Sequence, residues 1–403
     1  MTYLDNAATT YHKPEAVYRA MSQSFGNPGR GGHALSLQAG EIIFECRDRL
    51  ARFFGAADPT QIIFTNNTTG ALNIAIKGSV RTDDHVIISG MEHNSVVRPV
   101  YSVTKDISVA EADKYGIISP ETIAALIRPN TRLVIITHAS NICGSINNIK
   151  EIGKITRENN ILFLVDAAQT AGVIDINVED MNIDMLAFAG HKMLYGPQGT
   201  GGLYVRDHEE LTPLIEGGTG SMSDSFHHPN FMPDKFESGT ANTPGIAGLN
   251  EGLKFIEKIT LEEIRAHENE LTKELLDGLQ NIKNVAIFGT NDLTERVGVV
   301  GFKIKKFLRH STRKNTNIPL GDSEDSFRRN AILNQKDNDS VEMCTELNEK
   351  YNIAARGGLH CAGLAHRSLG TPDTGLIRFS VSYFTKKRDI QKALHAVLKL
   401  SQQ

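Results

Sequence analysis

The sequence contains no tryptophan and only four cysteines among 403 residues, and aromatic residues make up 6% of it. The cysteines are Cys46, Cys143, Cys344 and Cys361, and no two of them form a Cys-x-x-Cys pair. This scattering argues against a structural zinc site or a disulfide framework. We therefore expect no metal, and a core held together by apolar packing, which a chain of this length can build.

An excess of charge of one sign is also missing, since 43 lysines and arginines face 47 acidic residues for a formal net charge of −4. The sequence therefore shows no electrostatic signature of binding to nucleic acid or to anionic membranes. It has no run of about 20 apolar residues, as a membrane span requires, and no secretion signal at its start. We expect a cytoplasmic globular protein with two domains, or one large domain with an appendage.

Short, continuously apolar runs recur through the first 205 residues. They lie at 62–64, 86–88, 133–136, 161–165, 185–188 and 203–205. Such runs are typical of strands buried on both faces. Helix-compatible segments lie between several of them, for example 120–127 and 149–158, so the pattern predicts an α/β fold with a mainly parallel sheet covered on both faces. In such sheets ligands bind beyond the carboxyl ends of the strands.

The pattern changes near residue 250, where apolar residues at helical spacing predict a long amphipathic connector over 253–279. Apolar runs at 285–288, 299–302 and 376–381, with a helix over 390–400, predict a smaller C-terminal α/β domain. We expect an N-terminal segment, 1–15, that packs with the small domain, a large domain, 16–250, and a small domain, 251–403. An Asn-, Asp- and Ser-rich stretch at 303–339 predicts a solvated insertion. A docking or regulatory role for it stays open.

Two charged residues close apolar runs of the predicted sheet, Asp166 after 161–165 and Lys192 after 185–188. A carboxylate at such a position is costly unless it is paired. Pyridoxal 5'-phosphate (PLP) would give both residues a partner, because a lysine forms a Schiff base with it and an aspartate pairs with its pyridinium nitrogen. A plain Asp–Lys ion pair at the strand ends explains these two residues equally well.

Other polar residues follow strands at the same edge. Thr68 and Thr69 open a helical segment, where backbone N–H groups and the helix dipole favour a phosphate. His93 follows the run at 86–88, where an imidazole can stack on an aromatic cofactor. Ordinary helix capping and a structural histidine are the alternatives for these residues.

Six motifs, taken in order, resemble those of the class V aminotransferase family. They are YLDNAATT at 3–10, TT at 68–69, EHN at 92–94, DAAQ at 166–169, GHK at 190–192 and GTANT at 239–243. Within that family, RGGLHCA at 356–362 resembles the short active-site cysteine loop of SufS-like (group II) cysteine desulfurases and selenocysteine lyases. The resemblance covers nearly the whole chain except the insertion. It implies a type I PLP-dependent transferase fold that acts as a homodimer.

The resemblance also implies a role for each matching residue. Lys192 would form the Schiff base with PLP, Asp166 would pair with the ring nitrogen, Gln169 would contact the phenolic oxygen, and His93 would stack on the ring. The cofactor's phosphate would be bound by Thr68, Thr69, His191 and Thr240, with Thr240 supplied by the partner subunit. The substrate would be bound by Asn141, Arg356 and Arg378. A guanidinium such as that of Arg378 suits an α-carboxylate because it binds carboxylates bidentately.

Cys361 would complete a cysteine desulfurase. Its thiolate would attack the sulfur of L-cysteine, leave a persulfide on the enzyme and release L-alanine. His360 and Arg356 are close enough in sequence to be candidates for neighbours that favour ionisation of this thiol. The other three cysteines are interpreted as packing residues or have no assigned role.

Some residues depart from the family pattern. Ala189 stands where SufS-like enzymes commonly place a serine on the phosphate, so one hydrogen bond to the cofactor is missing. Gly363 stands where many members have proline, which loosens the cysteine loop. The sequence therefore predicts a cysteine desulfurase that hands sulfur to an acceptor protein, for instance in iron–sulfur cluster assembly. A selenocysteine lyase, another class V aminotransferase or epimerase, and an inactive PLP-binding sulfur-relay scaffold stay open.

Overall fold

Each apolar run singled out above forms a strand in the computed structural model, which describes residues 1–28, 32–207, 209–304 and 339–402. The strands are β1 (Thr2–Tyr3), β2 (Ile62–Thr65), β3 (His85–Ser89), β4 (Ile107–Ala110), β5 (Thr131–Thr137), β6 (Leu162–Asp166), β7 (Met185–Ala189), β8 (Gly201–Val205), β9 (Val285–Phe288), β10 (Val299–Ile304), β11 (Ile353–Ala354) and β12 (Ile377–Ser380). The helices are α1 (Glu15–Gln23), α2 (Ala34–Phe54), α3 (Thr68–Ser79), α4 (Asn94–Val103), α5 (Pro120–Leu126), α6 (Ile149–Glu158), α7 (Thr243–Ile259), α8 (Leu261–Gln280), α9 (Asp339–Tyr351), α10 (Gly363–Ser368) and α11 (Lys387–Ser401).

The described residues form a seven-stranded sheet in the order β2-β8-β7-β6-β5-β3-β4. Neighbouring strands are parallel except at β8, which is antiparallel to both β2 and β7. Side chains of β5 alternate between two cores: Val134 and Ile136 join one, and Leu133 and Ile135 join the other. The predicted α/β fold, with a mainly parallel sheet buried on both faces, is confirmed.

Polar residues begin the helices that flank this sheet. The Ser119 side chain accepts the N–H of Thr122 at the start of α5, and Pro120 occupies the first helical position. At α3, the Asn67 side chain accepts the N–H of Gly70. Each of these bonds satisfies an N–H group that the first helical turn cannot pair.

A smaller unit packs around the antiparallel sheet β12-β10-β9. Its core joins Leu275 of α8, Leu347 of α9 and Val397 of α11 to Phe302 of β10. The N-terminal strand β1 pairs in parallel with β11, and Leu4 is buried in the same core. The start of the chain thus packs against its C-terminal part. The exact domain bounds stay a prediction, and residues 305–338 of the predicted insertion lie outside the described residues.

The structure differs from the sequence prediction in the connector and in several short strands. The amphipathic connector predicted over 253–279 consists of two helices, because α7 and α8 meet at Thr260, where φ is 80°. The Thr260 side chain accepts the N–H of Glu263 and so begins a new helix. Strand β4 was not predicted, because its Ile-Ser-Val-Ala sequence is short and a serine interrupts its apolar residues, and β1 and β11 were not predicted, because each has only two residues. None of the described helices is both long and apolar enough to span a membrane.

Candidate active site

Parallel strands end side by side at one edge of the large sheet, and each is followed by polar residues. Thr137 at the end of β5 pairs with Asp166 at the end of β6, and Asp166 pairs with Ala187 of β7. A cavity of about 180 Å³ lies at this edge, where parallel α/β sheets bind their ligands. Eight of the twelve site residues predicted from the sequence line it, namely Thr68, Thr69, His93, Asn141, Asp166, Gln169, His191 and Lys192.

The carboxyl group of Asp166 is buried, with 5% of the residue exposed. Its Oδ1 accepts a hydrogen bond from the Ala168 N–H at 2.9 Å. Burial raises the pKa of Asp166 more than this bond and the charge of Lys192 lower it. A buried carboxylate of this kind is stabilised by a cationic N–H group brought into the cavity.

Lys192 faces the same cavity as Asp166. Burial lowers the pKa of its amine to about 8, although the Asp166 charge acts in the opposite direction. A lysine with a lowered pKa carries more of the uncharged, nucleophilic amine near neutral pH. The structure therefore presents an amine suited to Schiff-base chemistry beside a carboxylate suited to a cationic ring nitrogen.

The N-terminal segment fixes the backbone around Lys192. The Thr10 hydroxyl donates to the backbone oxygens of His191 and Lys192, at 3.2 and 3.0 Å. The Lys13 Nζ donates to Thr10 Oγ1 at 2.8 Å and to the His191 oxygen at 3.3 Å. Sequence reasoning quoted Thr10 as part of a motif but gave it no role, and it missed Lys13. Only the fold brings these residues to the lysine loop.

His93 is a neutral imidazole at the wall of the cavity. Its Nδ1 accepts the Ser95 N–H at 3.1 Å, so the ring caps α4. Burial and the nearby positive charges, that of Lys192 foremost, lower the pKa of His93 to about 4. Because Nδ1 accepts a bond, the ring proton sits on Nε2. The ring thus has a structural role as the cap of α4 and also lines the cavity.

The N-terminus of α3 supplies hydroxyl groups to the cavity. Thr68 is buried, and its Oγ1 has no hydrogen-bond partner among the described residues. Thr69 Oγ1 lies 2.8 Å from Ser95 Oγ. An unpartnered buried hydroxyl at a helix N-terminus is a ready site for an anion.

His191 and Gln169 complete the lining. His191 Nδ1 lies 3.1 Å from Thr9 Oγ1, and burial lowers the pKa of this imidazole to about 4, so the ring is neutral. Gln169 Nε2 donates to the Ala7 oxygen at 3.1 Å, which leaves its Oε1 for other contacts. Both residues depend on the N-terminal segment for their orientation.

Arg378 lies outside the lining residues of the cavity and already has partners. It is 1% exposed; its Nη1 donates to the Asn141 oxygen at 2.9 Å, and its Nη2 pairs with Asp5 at 2.6 Å. Its Nε has no partner among the described residues. A bidentate clamp on a substrate carboxylate would require Asp5 to give up this guanidinium. Arg356 pairs through its backbone with Arg378, and its side chain is also outside the lining.

Cys361 lies on an exposed loop that is tied to the cavity wall. Its carbonyl oxygen accepts the Asn94 N–H at 2.8 Å, next to His93 in the chain. The Asn141 Nδ2 donates to the oxygen of His360 at 2.9 Å. Of the four cysteines, Cys361 is exposed and the other three are buried. The structure thus brings an accessible thiol to the edge that carries Lys192.

His360, a candidate from the sequence for favouring ionisation of this thiol, does not do so by carrying a positive charge. The His360 ring is buried, and burial lowers its pKa well below the ordinary histidine value. Its Nε2 lies 3.2 Å from the Arg356 oxygen, and its Nδ1 lies 3.4 Å from His366 Nε2. A neutral ring with both nitrogens engaged supplies no positive charge to Cys361.

Thr240 is exposed and lies away from Lys192, in a larger groove of about 920 Å³. The groove and the cavity share Asn67 as a lining residue. Exposed apolar side chains, Leu214 and Ile215, also line the groove. Within this chain, Thr240 therefore does not reach the cavity.

Sequence reasoning also missed Glu92, which is fully buried beneath the site. Its Oε1 accepts bonds from the Ser89 hydroxyl at 2.5 Å and from the Thr137 N–H at 2.7 Å. Burial, with the charge of Asp166, raises the pKa of Glu92 to about 8. Its place beside His93 was the available signal, since a glutamate three residues after the fully buried strand β3 has little water to solvate it.

Comparison with known proteins places this chain in a family. Residues 2–318 match the family described as aminotransferase class-V. The chain belongs to this family. The resemblance drawn from the sequence motifs is therefore confirmed.

Relatives cover the chain almost end to end. A "Probable cysteine desulfurase" from Methanothermobacter thermautotrophicus is 33% identical over 96% of this chain and 92% of its own length. The structure of a cysteine desulfurase from Thermococcus onnurineus has a TM-score of 0.84 at 29% identity and covers 99% of this chain and 94% of that one. The cysteine desulfurase CsdA from Escherichia coli has a TM-score of 0.82 at 25% identity, over 100% and 94%.

Proposed function

We propose that this protein is a PLP-dependent cysteine desulfurase that converts L-cysteine to L-alanine and carries the sulfur as a persulfide on Cys361. The observation that carries the proposal is the meeting of two features at one sheet edge. A cavity holds Lys192 beside the buried Asp166, and an exposed cysteine loop is bound to the wall of that cavity through Asn94 and Asn141. The names of the relatives agree with this chemistry.

The residues present fit PLP. The buried Asp166 carboxylate suits a protonated ring nitrogen, and the unpartnered Thr68 hydroxyl at the N-terminus of α3 suits the phosphate. The neutral His93 ring can lie against the cofactor ring, and the Lys192 amine is the group that would link to it. PLP, when bound, supplies an electron sink beside the substrate's α carbon.

The chain's own residues would then carry out two steps. Lys192 takes the proton from the α carbon of cysteine, a role suited to an amine with a pKa of about 8. The thiolate of Cys361 attacks the substrate sulfur, so that a sulfur–sulfur bond forms and the carbon–sulfur bond breaks. The bonding pair stays with the carbon, which takes up a proton, and alanine leaves. No external oxidant is needed, because the two electrons that the sulfurs lose on forming the sulfur–sulfur bond stay with the substrate carbon, which becomes the methyl group of alanine.

A second copy of the chain is proposed to cover the groove that contains Thr240. Ile215 is 66% exposed and Leu214 is 42% exposed along this groove, which adjoins the cavity at Asn67. The class V resemblance implies that Thr240 is donated to the phosphate site of the other subunit. The persulfide on the exposed Cys361 would pass to an acceptor protein.

The test is alanine release from L-cysteine with a reductant present. Cys361→Ala should keep the PLP absorbance and lose turnover, Lys192→Ala should lose both, and Cys46→Ala, a buried cysteine of α2, should keep both. Unchanged alanine release by Cys361→Ala would overturn the persulfide role. Selenocysteine, tested as a parallel substrate, distinguishes a cysteine desulfurase from a selenocysteine lyase. A selenocysteine lyase would turn selenocysteine over even in Cys361→Ala. If the yellow wild type is inert to both, α-keto acids test for transamination.

A further inference from the structure

Two consecutive residues of the cysteine loop have a left-handed backbone. His360 has φ of 50° and Cys361 has φ of 55°, and neither is glycine. This conformation brings Cβ too close to the following carbonyl and is unfavourable for residues with side chains. It persists only where the surrounding structure holds it, and such positions concentrate at functional sites. The question is what holds this loop.

Hydrogen bonds hold the carbonyl groups of both left-handed residues. The Cys361 oxygen accepts the Asn94 N–H at 2.8 Å, and the His360 oxygen accepts Asn141 Nδ2 at 2.9 Å. The Ala362 N–H donates to the Leu359 oxygen at 2.8 Å. These bonds fix the path of the chain but not the orientation of the His360 ring, whose Cα is part of the left-handed turn.

A chain of hydrogen bonds holds that ring from the other side. His360 Nε2 lies 3.2 Å from the Arg356 oxygen, His360 Nδ1 lies 3.4 Å from His366 Nε2, and His366 Nδ1 lies 2.8 Å from Thr371 Oγ1. The two rings are nearly parallel, with an interplanar angle of 10°. His366 is 0% exposed and His360 is 4% exposed, so water does not compete for these bonds.

The Arg356 carbonyl oxygen, at the start of this series of hydrogen bonds, determines which nitrogen donates and which accepts at every later step. A carbonyl oxygen can only accept, so Nε2 of His360 carries the ring proton and Nδ1 is an acceptor. His366 must then donate from its Nε2, and its own Nδ1 accepts from the Thr371 hydroxyl. Burial lowers the pKa of His366 to about 4, in keeping with a neutral ring.

We propose that His366 is a positioning residue for sulfur transfer: by donating to Nδ1 of His360 it holds the left-handed backbone that presents Cys361 to the cavity. Thr371 supports it by fixing the tautomer of the His366 ring. The inference deepens the proposed function, because it requires Cys361 to be the residue that receives the sulfur. His366 lies on α10, beyond the motif of residues 356–362, and only the fold brings its ring to His360.

The test compares His366→Leu with His366→Gln in the PLP-loaded enzyme. Leucine removes the donor, whereas the glutamine amide nitrogen can occupy the place of Nε2. His366→Leu should lower kcat for alanine formation at least tenfold with KM changed less than twofold and the PLP absorbance kept. Hydrogen exchange of a peptide covering residues 359–363 should accelerate at least tenfold. His366→Gln should recover kcat to within threefold of wild type and restore the slow exchange. His395→Leu, an exposed histidine of α11, is the matched control and should change neither.

Thr371→Val and Thr371→Ser change only the last member of this series of hydrogen bonds. They test the proposal even if His366→Leu does not fold. Valine should lower kcat about threefold, and serine should not. The proposal is overturned if kcat and loop exchange of His366→Leu match the wild type, or if Thr371→Val matches Thr371→Ser. Failure of the proposed function gives a different result from failure of the positioning role. If Cys361 does not receive the sulfur, Cys361→Ala releases alanine at the wild-type rate, while hydrogen exchange still shows whether His366 holds the loop.

Discussion

The buried carboxyl group of Glu92 gives the sharpest test of the electrostatics beneath the site. Glu92 is 0% exposed, and its Oε2 has no hydrogen-bond partner among the described residues. Burial raises its pKa from 4.5 to about 8, and the nearby Asp166 charge adds to this effect. At neutral pH the side chain is therefore mostly a neutral acid, which leaves Asp166 without a second negative charge beside it.

The pH dependence follows from the two pKa values. Between pH 4.5 and about 8 the folded protein binds one proton more than the unfolded chain, so the free energy of unfolding falls as pH rises. The loss is about 1.4 kcal/mol per pH unit, or about 5 kcal/mol over the whole window. Glu92→Gln keeps the acceptor for Ser89 and Thr137 but cannot ionise. Its unfolding free energy, relative to wild type, should rise by about 1.4 kcal/mol per unit from pH 5 to 8 and then level off.

Urea unfolding followed by far-ultraviolet circular dichroism measures this difference, since the chain has no tryptophan for fluorescence. The constant cost of leaving the glutamine Nε2 unpaired shifts the curve but not its slope. Glu270→Gln, on the exposed side of α8, controls for the change of charge. Parallel curves for Glu92→Gln and wild type between pH 5 and 8 would refute the reasoning.

Three further predictions concern the ion pair, the lysine and the groove. Asp5→Ala should lower the free energy of unfolding by about 3 kcal/mol, because it leaves the buried Arg378 guanidinium without its carboxylate partner. Asp5→Asn should lower it less. Equal urea midpoints for the wild type and both variants would contradict this. The rate of PLP binding to the cofactor-free protein, measured by absorbance, should rise about tenfold from pH 6 to 7 and level off above about pH 8. The reason is that the Lys192 amine must lose its proton before it reacts. A pH-independent rate would contradict this prediction. Ile215→Asp should convert a dimer to monomers in sedimentation experiments and lower PLP affinity, whereas a wild type that is already monomeric would refute the proposed interface.

Sequence reasoning located six of the seven strands of the large sheet, and the edge where the site lies, because both follow from local pattern. A continuously apolar run such as that of β6 is typical of a strand buried on both faces in a globular protein. Asp166 is the polar residue at the end of this strand, so it lies at the carboxyl edge of the sheet, where ligands bind. The same reasoning places Lys192 without knowledge of any long-range contact.

The parts that were missed depend on contacts between distant segments. The bond from Lys13 to the His191 oxygen and the pair of Asp5 with Arg378 span 178 and 373 positions of the chain. The break at Thr260 was missed because the helical spacing of apolar residues continues across it. The backbone turns at this single residue, through its positive φ. His360 was named as a candidate to favour ionisation of Cys361 from its place in the sequence alone, which does not show that the ring is buried against His366 and neutral.

The central claim is that Cys361 receives the sulfur of cysteine. The most direct test is mass spectrometry of the PLP-loaded protein after brief exposure to L-cysteine without reductant, followed by digestion. We predict that the peptide with Cys361 gains the mass of one sulfur atom, that a thiol reductant removes it, and that peptides with Cys46, Cys143 and Cys344 do not gain it. Alanine release with no added sulfur on Cys361, or with the sulfur on another cysteine, would contradict the account.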